Sequence, residues 1–320
     1  MPDAIKRLAI LDDYQGVAMS MGPWDRLPGL EVTVFRDTIT DRAALVQRLA
    51  PFDAILAMRE RTPFPRPLIE ALPNLRLLVT TAARNRSIDA AACAERGVVF
   101  CGTPSFGDPT VDITWGLITG LMRDLPAQQA ALRAGQWQTS VGWGLEGRTL
   151  GVVGLGKLGA RVAKVGLAFG MKVVAWSQNL TEERAAEVGV TRVDKATLLS
   201  TADVVTLHLI LSDRSHGIVG AADLAQMKKT AFIVNTSRGP LIDQDALIAA
   251  LKAGTIAGAG IDVFDIEPLP PGHPILAAPN TFLTPHLGYV TQQNYRAYYE
   301  GTVEAIAAFN AGAPVRVIAP

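Results

Sequence analysis

The chain has 320 residues, of which 49% are hydrophobic and 19% are charged. This composition is typical of a soluble, folded protein long enough for two domains, and excludes a disordered chain. The 30 Lys and Arg residues balance the 30 Asp and Glu residues, so no overall field attracts nucleic acid or an anionic membrane, and we expect neither as a partner.

The cysteines and the hydropathy of the chain indicate whether the protein is membrane-bound, secreted or cytoplasmic. The sequence has no run of roughly 18 apolar residues, so we expect no membrane-spanning helix. The short apolar stretch near the N-terminus resembles a first strand more than a signal peptide. Cys93 and Cys101 lack the spacing of metal ligands or of a disulfide framework. We therefore expect a cytoplasmic protein with two reduced thiols and no bound metal.

Short apolar runs alternate with helix-length amphipathic segments in the first third of the chain. The apolar runs predict five strands, at Leu8–Leu11, Val32–Phe35, Ala54–Ala57, Leu75–Thr80 and Val98–Phe100. The intervening segments predict helices at Arg42–Leu49, Pro67–Leu72 and Asp89–Arg96. Strict alternation of strand and helix favours a parallel sheet covered by helices on both faces.

The alternation starts again after Gly147. Six further strands are predicted, at Thr149–Val153, Val173–Trp176, Val204–Leu207, Ala231–Asn235, Ala257–Ile261 and Thr281–Leu283. Six strands with interleaved helices suit a complete dinucleotide-binding fold. The last segment, Thr291–Asn310, has the apolar spacing of a helix, and we interpret its tyrosines as packing residues. The sequence thus predicts an α/β protein with two doubly wound parallel-sheet domains.

The sharpest local signal is a glycine-rich turn between a predicted strand and a predicted helix. It contains Gly154, Gly156 and Gly159 in the pattern Gly-x-Gly-x-x-Gly, with Lys157 and Leu158 between the last two glycines. In this context the first glycine makes the tight turn, the second lets the backbone approach a pyrophosphate, and the third allows close helix–strand packing. The helix N-terminus then binds the phosphates. The Lys157 side chain is expected to be solvated.

The end of the next strand bears on the choice of cofactor. Such turns usually have an acid about 20 residues further on that binds the adenosine ribose. Here the position is occupied by Ser177, and no Arg or Lys follows directly, although Arg184 lies in the next helix. The sequence leaves NAD and NADP open as cofactors.

Three residues follow late strands, where the carboxyl ends of a parallel sheet form the active-site crevice. They are Arg238, Glu267 and His286. A guanidinium can bind a carboxylate and polarise a keto oxygen. A histidine can deliver a proton as hydride reaches C2, and a carboxylate can orient that imidazole. The set predicts transfer of a hydride between a nicotinamide and a small 2-hydroxy or 2-keto acid.

The chain resembles the D-isomer-specific 2-hydroxyacid dehydrogenase family, which includes phosphoglycerate dehydrogenases and glyoxylate/hydroxypyruvate reductases. The resemblance covers nearly the whole chain and includes the glycine turn and the stretches 235–240, 258–268 and 284–286. It implies Arg238, Glu267 and His286 as catalytic residues and a homodimer. It implies a flavodoxin-like substrate domain, residues 1–101 with 288–320, into which a Rossmann cofactor domain, residues 102–287, is inserted.

The resemblance also implies further binding residues. Asp262 would lie near the nicotinamide carboxamide, and His208, Thr236 and Gly288 would line the cofactor cleft. A loop that usually reads Gly-x-Gly and binds the substrate carboxylate here reads Ala82-Ala83-Arg84. That departure either reshapes the carboxylate site or lets Arg84 contact the substrate itself.

Alternatives within the same fold stay open at this point. Formate dehydrogenases share the arginine and histidine, but they pair the histidine with a glutamine, and Glu267 argues against them. A dinucleotide-sensing corepressor, which binds partners rather than catalysing, is less consistent with the complete set of three residues. Other residues could line the substrate cleft, and the sequence does not rank them: Arg59, Arg61, Arg84, Trp137, Trp143 and Tyr289.

Overall fold

The computed structural model describes residues 4–320. The chain divides into two compact units. The first comprises the residues up to Gly107 together with Thr291–Pro320, and the second comprises Asp108–Val290. Met1–Asp3, at the start of the predicted substrate domain, lie outside the described residues.

The first unit contains a five-stranded sheet in which every strand pairing is parallel. Its order is β2-β1-β3-β4-β5, the flavodoxin-like arrangement. The strands are β1 (Arg7–Ile10), β2 (Glu31–Val34), β3 (Ala54–Ala57), β4 (Leu77–Thr80) and β5 (Val99–Gly102). The helices are α1 (Ala18–Met21), α2 (Arg42–Leu49), α3 (Arg66–Glu70), α4 (Ala90–Glu95) and, from the C-terminal segment, α12 (Gln292–Asn310).

The last helix of the chain, α12, belongs to the core of this first unit. Its side chains Tyr295, Tyr298 and Tyr299 are 3%, 2% and 0% exposed. The ring of Tyr299 packs edge-on against Trp24 at 6.0 Å. The interpretation of these tyrosines as packing residues is confirmed. Their burial explains how a segment nearly 200 residues from β5 joins the first unit.

The second unit contains a seven-stranded sheet, also parallel throughout. Its order, β12-β11-β10-β9-β6-β7-β8, is that of a dinucleotide-binding fold extended by one strand. The strands are β6 (Thr149–Val153), β7 (Lys172–Trp176), β8 (Thr191–Arg192), β9 (Val204–Leu207), β10 (Phe232–Asn235), β11 (Gly258–Ile261) and β12 (Thr281–Leu283). The helices are α5 (Thr110–Met122), α6 (Leu125–Arg133), α7 (Lys157–Ala168), α8 (Glu182–Val188), α9 (Lys195–Thr201), α10 (Ala221–Leu224) and α11 (Gln244–Ala253).

Two hydrophobic clusters cover the two faces of the seven-stranded sheet. Along β10, Ile233 belongs to one cluster and Val234 to the other, as successive strand residues on opposite faces must. The predicted fold class, two doubly wound parallel α/β domains, is confirmed. The prediction of six strands was one short, because β8 has only two residues and both are exposed. Such a strand has no apolar signature in the sequence.

None of the helices formed by residues 4–320 is long and apolar enough to cross a membrane. Among residues 4–320, no three or more His, Cys, Asp and Glu side chains form a cluster suited to a metal ion. The thiols of Cys93 and Cys101 are free and buried, and burial raises the pKa of each to about 11.

Two glycines of α5 give a matched test of packing in the second unit. A Cβ added at buried Gly120 would lie 2.6 Å from Cδ1 of the Phe282 ring, whereas one added at exposed Gly116 would meet no atom within 4 Å. We expect Gly120→Ala to lower the free energy of unfolding by about 1–3 kcal/mol, because the ring must shift. Gly116→Ala should raise it by up to about 1 kcal/mol through helix propensity. Urea unfolding followed by circular dichroism measures both free energies. Equal changes in the two variants would contradict the close packing of Gly120 against Phe282.

Candidate active site

The glycine-rich turn joins β6 to α7. Gly154 has a φ of 100°, and a Cβ there would lie 2.7 Å from the carbonyl oxygen of His208. A Cβ at Gly159 would overlap the carbonyl oxygen of Gly154, so the first turn of α7 lies directly on the strand end. At Gly156, the residue that precedes α7, a Cβ would meet no atom within 4 Å. The space in front of the N-terminus of α7 is therefore open at Gly156, and N–H groups at a helix N-terminus are suited to binding phosphate.

An ion-pair group lies beside this turn. Lys157 Nζ is 2.8 Å from Asp108 Oδ1, and Arg161 Nη1 is 2.5 Å from Asp108 Oδ2. Burial raises the pKa of Asp108, but hydrogen bonds from these two cations outweigh it and lower the pKa overall. The Lys157 side chain is 78% exposed, so it is both solvated and paired. The Leu158 side chain packs against the hydrophobic core, so only the backbone of this residue is available to a ligand at the turn.

The end of β7 forms a neutral turn in which Leu180 N donates to the carbonyl oxygen of Ser177. The cations nearby are engaged with acids of α8. Arg184 Nη1 lies 2.9 Å from Glu187, and Arg192 Nη1 lies 3.0 Å from Glu182. Ser177 itself is thus uncharged, the nearest acids in sequence, Glu182 and Glu183, belong to α8, and Arg184 and Arg192 are paired with acids of that helix.

His208 and Thr236 lie at the ends of the neighbouring strands β9 and β10. His208 Nε2 is 2.9 Å from the Thr206 hydroxyl, and its Nδ1 is buried with no hydrogen-bond partner among residues 4–320. Burial lowers the pKa of His208 to about 4, so the ring is neutral. The Thr236 hydroxyl shares a 2.8 Å hydrogen bond with Thr114 of α5. A buried nitrogen without a partner, next to the open helix N-terminus, is consistent with a bound dinucleotide.

The side chains of Glu267 and His286 are in direct contact. His286 Nδ1 lies 2.6 Å from Glu267 Oε2, and the other carboxylate oxygen accepts a 2.8 Å hydrogen bond from Phe264 N. The two side chains are 18% and 19% exposed. The Tyr289 ring packs edge-on against the imidazole at 5.5 Å. The carboxylate thereby fixes the orientation of the ring and leaves Nε2 as its outward nitrogen.

The loop that carries His286 is held by Asp262, at the end of β11. The Asp262 carboxylate is fully buried. It accepts hydrogen bonds from the Thr284 hydroxyl at 2.6 Å, Leu287 N at 2.7 Å and Gly288 N at 2.9 Å. These donors flank His286, whose backbone is left-handed with φ 53°. Asp262 therefore positions the histidine loop, and the Gly288 N–H is engaged within the protein.

Arg238 follows β10 in a turn closed by Asn235. Asn235 Nδ2 donates to the Arg238 carbonyl oxygen at 2.8 Å, and Asn235 Oδ1 accepts from Ser237 N at 3.0 Å. The next residue, Gly239, lies so close to the chain at Phe264 that a Cβ would overlap that backbone. This contact holds the Arg238 turn against the segment that leads to Glu267.

The loop that replaces Gly-x-Gly lies in the first unit, after β4. Ala82 is left-handed with φ 66°. Its N–H donates to the Thr103 hydroxyl at 2.8 Å, and its carbonyl oxygen accepts from Thr103 N at 3.0 Å. Ala83 and Arg84 are exposed. The Ala82 N–H is thus engaged within the protein, while Ala83 and Arg84 present their backbone and the Arg84 guanidinium to the surface.

Comparisons with known proteins agree with this geometry. The sequence model described as the NAD-binding domain of D-isomer-specific 2-hydroxyacid dehydrogenases matches residues 115–288. The chain belongs to this family. A glyoxylate reductase from Korarchaeum cryptofilum is 34% identical over 85% of this chain and 83% of its own. A hydroxypyruvate reductase from Blautia hydrogenotrophica is 29% identical over 98% and 99%. The crystal structure of a phosphoglycerate oxidoreductase from Vibrio cholerae is 38% identical, covers 96% and 100%, and superposes with a TM-score of 0.91.

The predictions of the family and of a nicotinamide-dependent oxidoreductase acting on a CH–OH group are confirmed. Within the second unit of this dehydrogenase, the structure brings Arg238, Glu267 and His286 to one edge of the sheet. It does not bring Trp143 there. That side chain lines a cavity of about 430 Å³ with Phe232 and Thr281, at the opposite, N-terminal edge of the strands.

Two supporting residues escaped the sequence analysis. Asp108 was missed because nothing in the sequence links it to Lys157 and Arg161, about 50 residues away. Asn235 had a usable signal, since an asparagine at a strand end commonly closes a turn with its own side chain.

Gly156 provides a test of the proposed phosphate site that is separate from folding. Its backbone is extended, so alanine fits without strain. We expect Gly156→Ala to change the free energy of unfolding by less than about 0.5 kcal/mol. The same change should weaken NADH binding at least about 10-fold, because the methyl group occupies the space in front of α7. Fluorescence titration with NADH measures this, with Gly144→Ala, an exposed glycine with similar free space, as control. Unchanged affinity would place the phosphates elsewhere.

Proposed function

We propose that this dehydrogenase transfers a hydride between a nicotinamide cofactor and C2 of a small 2-keto or D-2-hydroxy acid, with Arg238, Glu267 and His286 as its catalytic residues. The observation that carries the proposal is the 2.6 Å contact between His286 Nδ1 and Glu267 Oε2. It lies at the same sheet edge as the Arg238 turn. A cation, an oriented imidazole and its carboxylate are what reduction of a keto acid requires.

The proton is assigned to His286. In the reductive direction, a bound reduced nicotinamide would supply the hydride for C2. The former carbonyl oxygen then needs a proton, which the imidazolium donates from Nε2. Glu267 stabilises the charged ring through Nδ1 and keeps it in one orientation. In the oxidative direction, neutral His286 accepts the hydroxyl proton.

Arg238 is assigned to the substrate carboxylate and the keto oxygen. A guanidinium offers donors in a fixed fork that matches a carboxylate, and it carries its charge throughout the reaction. The Asn235 turn and the close approach of Gly239 to Phe264 fix its backbone. Positioned donors of this kind contribute to the rate by orienting the substrate and by stabilising negative charge on the oxygen.

The cofactor assignment follows from the turn before α7. The open N-terminus at Gly156 would bind the pyrophosphate, and the neutral turn at Ser177 would face the adenosine ribose. Because Ser177 is itself uncharged and Arg184 and Arg192 are both paired with acids of α8, we propose that the chain accepts both NAD and NADP. We assign Asp108–Val290 to the cofactor domain and the other unit to the substrate domain.

The alternatives raised by the sequence are not supported further. A formate dehydrogenase would pair the histidine with an amide, whereas His286 contacts a carboxylate. A non-catalytic sensor would not need the oriented Glu267–His286 pair. The free, buried thiols support the proposal of a reducing, cytoplasmic location.

We further propose a homodimer formed through the surface of α6 and the segment that follows it. This surface exposes large apolar side chains, from 44% at Trp143 to 98% at Val141: Leu125, Leu132, Trp137, Val141 and Trp143. The cavity of about 430 Å³ adjoins it and offers a recess for side chains of a second copy. Apolar surface of this extent is typical of a protein–protein interface.

The first test is turnover by the purified enzyme. We expect NADH and NADPH both to be oxidised with at least one of glyoxylate, hydroxypyruvate, pyruvate, phenylpyruvate or 2-ketoisocaproate. The two cofactors should differ in kcat/KM by less than about 100-fold, since a single selective pair contributes about 1–3 kcal/mol. Absorbance at 340 nm measures the rates. Cofactor binding without any turnover would favour a dinucleotide sensor instead.

Two substitutions test the proton-transfer pair. His286→Ala should lower kcat/KM by about 10²- to 10⁴-fold while NADH binding persists, because the imidazole acts on the proton only. Glu267→Gln keeps a hydrogen bond but removes the charge, and should cost on the order of 10²-fold. His216→Ala, an exposed histidine of the same unit, is the control. Loss of NADH binding in His286→Ala would show that His286 is structural.

Sedimentation velocity tests the dimer. We expect the mass of two chains for the unaltered protein and of one chain for the double variant Leu132→Glu, Trp137→Glu, because buried unpaired charges oppose association. Both residues are exposed in the single chain, so folding should be retained. Met19→Glu, 54% exposed in the first unit, is the control. A single-chain mass for the unaltered protein would overturn the proposal.

A further inference from the structure

Asp108, the first residue of the second unit, places a carboxylate beside the N-terminal part of α7. Its Oδ1 lies 2.8 Å from Lys157 Nζ, and its Oδ2 lies 2.5 Å from Arg161 Nη1. Lys157 is the first residue of α7, and Arg161 lies one turn further along the helix. The carboxylate therefore spans the first turn of α7, the end of a helix that favours an anion.

The acid of this group is held more firmly than its cations. The Asp108 side chain is 10% exposed, whereas those of Lys157 and Arg161 are 78% and 55% exposed. Burial raises the pKa of Asp108, but hydrogen bonds from the two cations lower it overall, so the group is a carboxylate at neutral pH. The lysine, a compact charge on a flexible stem, is the member that can change partner.

The space next to this ion-pair group is the proposed position of the diphosphate of a dinucleotide. A Cβ added at Gly156, directly before Lys157, would meet no atom within 4 Å. A diphosphate there and the Asp108 carboxylate would both be anions at one helix end, and Lys157 has a single positive charge. Because the attraction of Lys157 for one anion weakens its pairing with the other, the two interactions oppose each other.

We propose that Asp108 competes with the diphosphate of the bound dinucleotide for Lys157, and that it thereby lowers cofactor affinity and speeds cofactor release. The inference rests on the proposed position of the diphosphate at Gly156. Arg161 keeps Asp108 neutralised when Lys157 leaves it, so the carboxylate acts through Lys157 rather than by repelling the phosphates directly. An enzyme that exchanges its cofactor in every turnover benefits from fast release.

Asp108→Asn tests the competition, because the amide keeps the shape of the side chain and removes its charge. We expect the Kd of NADH to fall about 3- to 10-fold, the effect of a few charges near a protein surface. ADP, which has the diphosphate but no nicotinamide, should gain by a similar factor. Fluorescence titration measures NADH, and displacement of NADH measures ADP. In stopped-flow experiments the gain should come mainly from slower NADH release.

Asp203→Asn is the matched control. Asp203 also pairs with two cations, Arg148 at 3.5 Å and Lys228 at 2.9 Å, and its side chain is 14% exposed. It directly precedes β9 and thus lies at the N-terminal edge of the sheet, opposite the glycine turn. Its replacement changes the net charge of the chain equally, but should alter the Kd of NADH by less than about 2-fold. An equal gain would mean that affinity follows overall charge, and would overturn the inference.

Lys157→Ala tests whether Asp108 acts through the lysine. In this background, Asp108→Asn should change the Kd of NADH by less than about 2-fold, because the side chain for which the two anions compete is missing. A gain retained in full would show that the carboxylate acts by another route, and would overturn the competition.

Two further outcomes separate the inference from the proposed function. Unchanged or weaker NADH binding by Asp108→Asn overturns the inference, and weaker binding would mean that Asp108 presents Lys157 to the phosphates. If Gly156→Ala binds NADH as tightly as the unaltered protein, the phosphates lie elsewhere, and the proposed cofactor site is wrong together with the inference. If Gly156→Ala weakens binding while Asp108→Asn has no effect, the inference alone is wrong.

Discussion

The buried carboxylate of Asp262 is the interaction on which the geometry of the candidate site depends. A fully buried charge is costly unless donors satisfy it. Burial raises the pKa of Asp262, and the Thr284 hydroxyl with the backbone N–H groups of Leu287 and Gly288 counters that effect. Those donors belong to the loop that carries His286. The cost of burying Asp262 is thus offset only while the histidine loop keeps its shape.

A second constraint joins the late strands at their carboxyl ends. Asp262 N donates to the carbonyl oxygen of Asn235, and the Asn235 side chain in turn closes the Arg238 turn. Gly239 lets this turn lie against the backbone at Phe264, and Phe264 N donates to Glu267. The arginine, the glutamate and the histidine are therefore positioned by one connected set of backbone contacts. Such support is what a preorganised catalytic site requires.

In both units, loops with polar and charged side chains follow the parallel strands at the carboxyl edge of the sheet. In the second unit, the N-terminus of α7 is open at Gly156, and the strand ends carry Arg238, Glu267 and His286. In the first unit, the strand ends supply arginines on loops that Asn85 locks together. Left-handed, non-glycine residues occur at Arg59, Ala82 and His286.

The sequence by itself determined the class of fold, the glycine turn and the placement of Arg238, Glu267 and His286 after late strands, because each depends on local patterns: apolar periodicity, residues without a Cβ, and side chains placed directly after strands. Tertiary structure alone decided how those side chains are supported. It placed Asp262 beneath the histidine loop, paired Lys157 with Asp108, and put Trp143 at the edge opposite the site. It also added β8, which has no apolar signature. These features arise from contacts between residues distant in sequence, and no local pattern encodes which distant partner will satisfy a given charge or fill a given space.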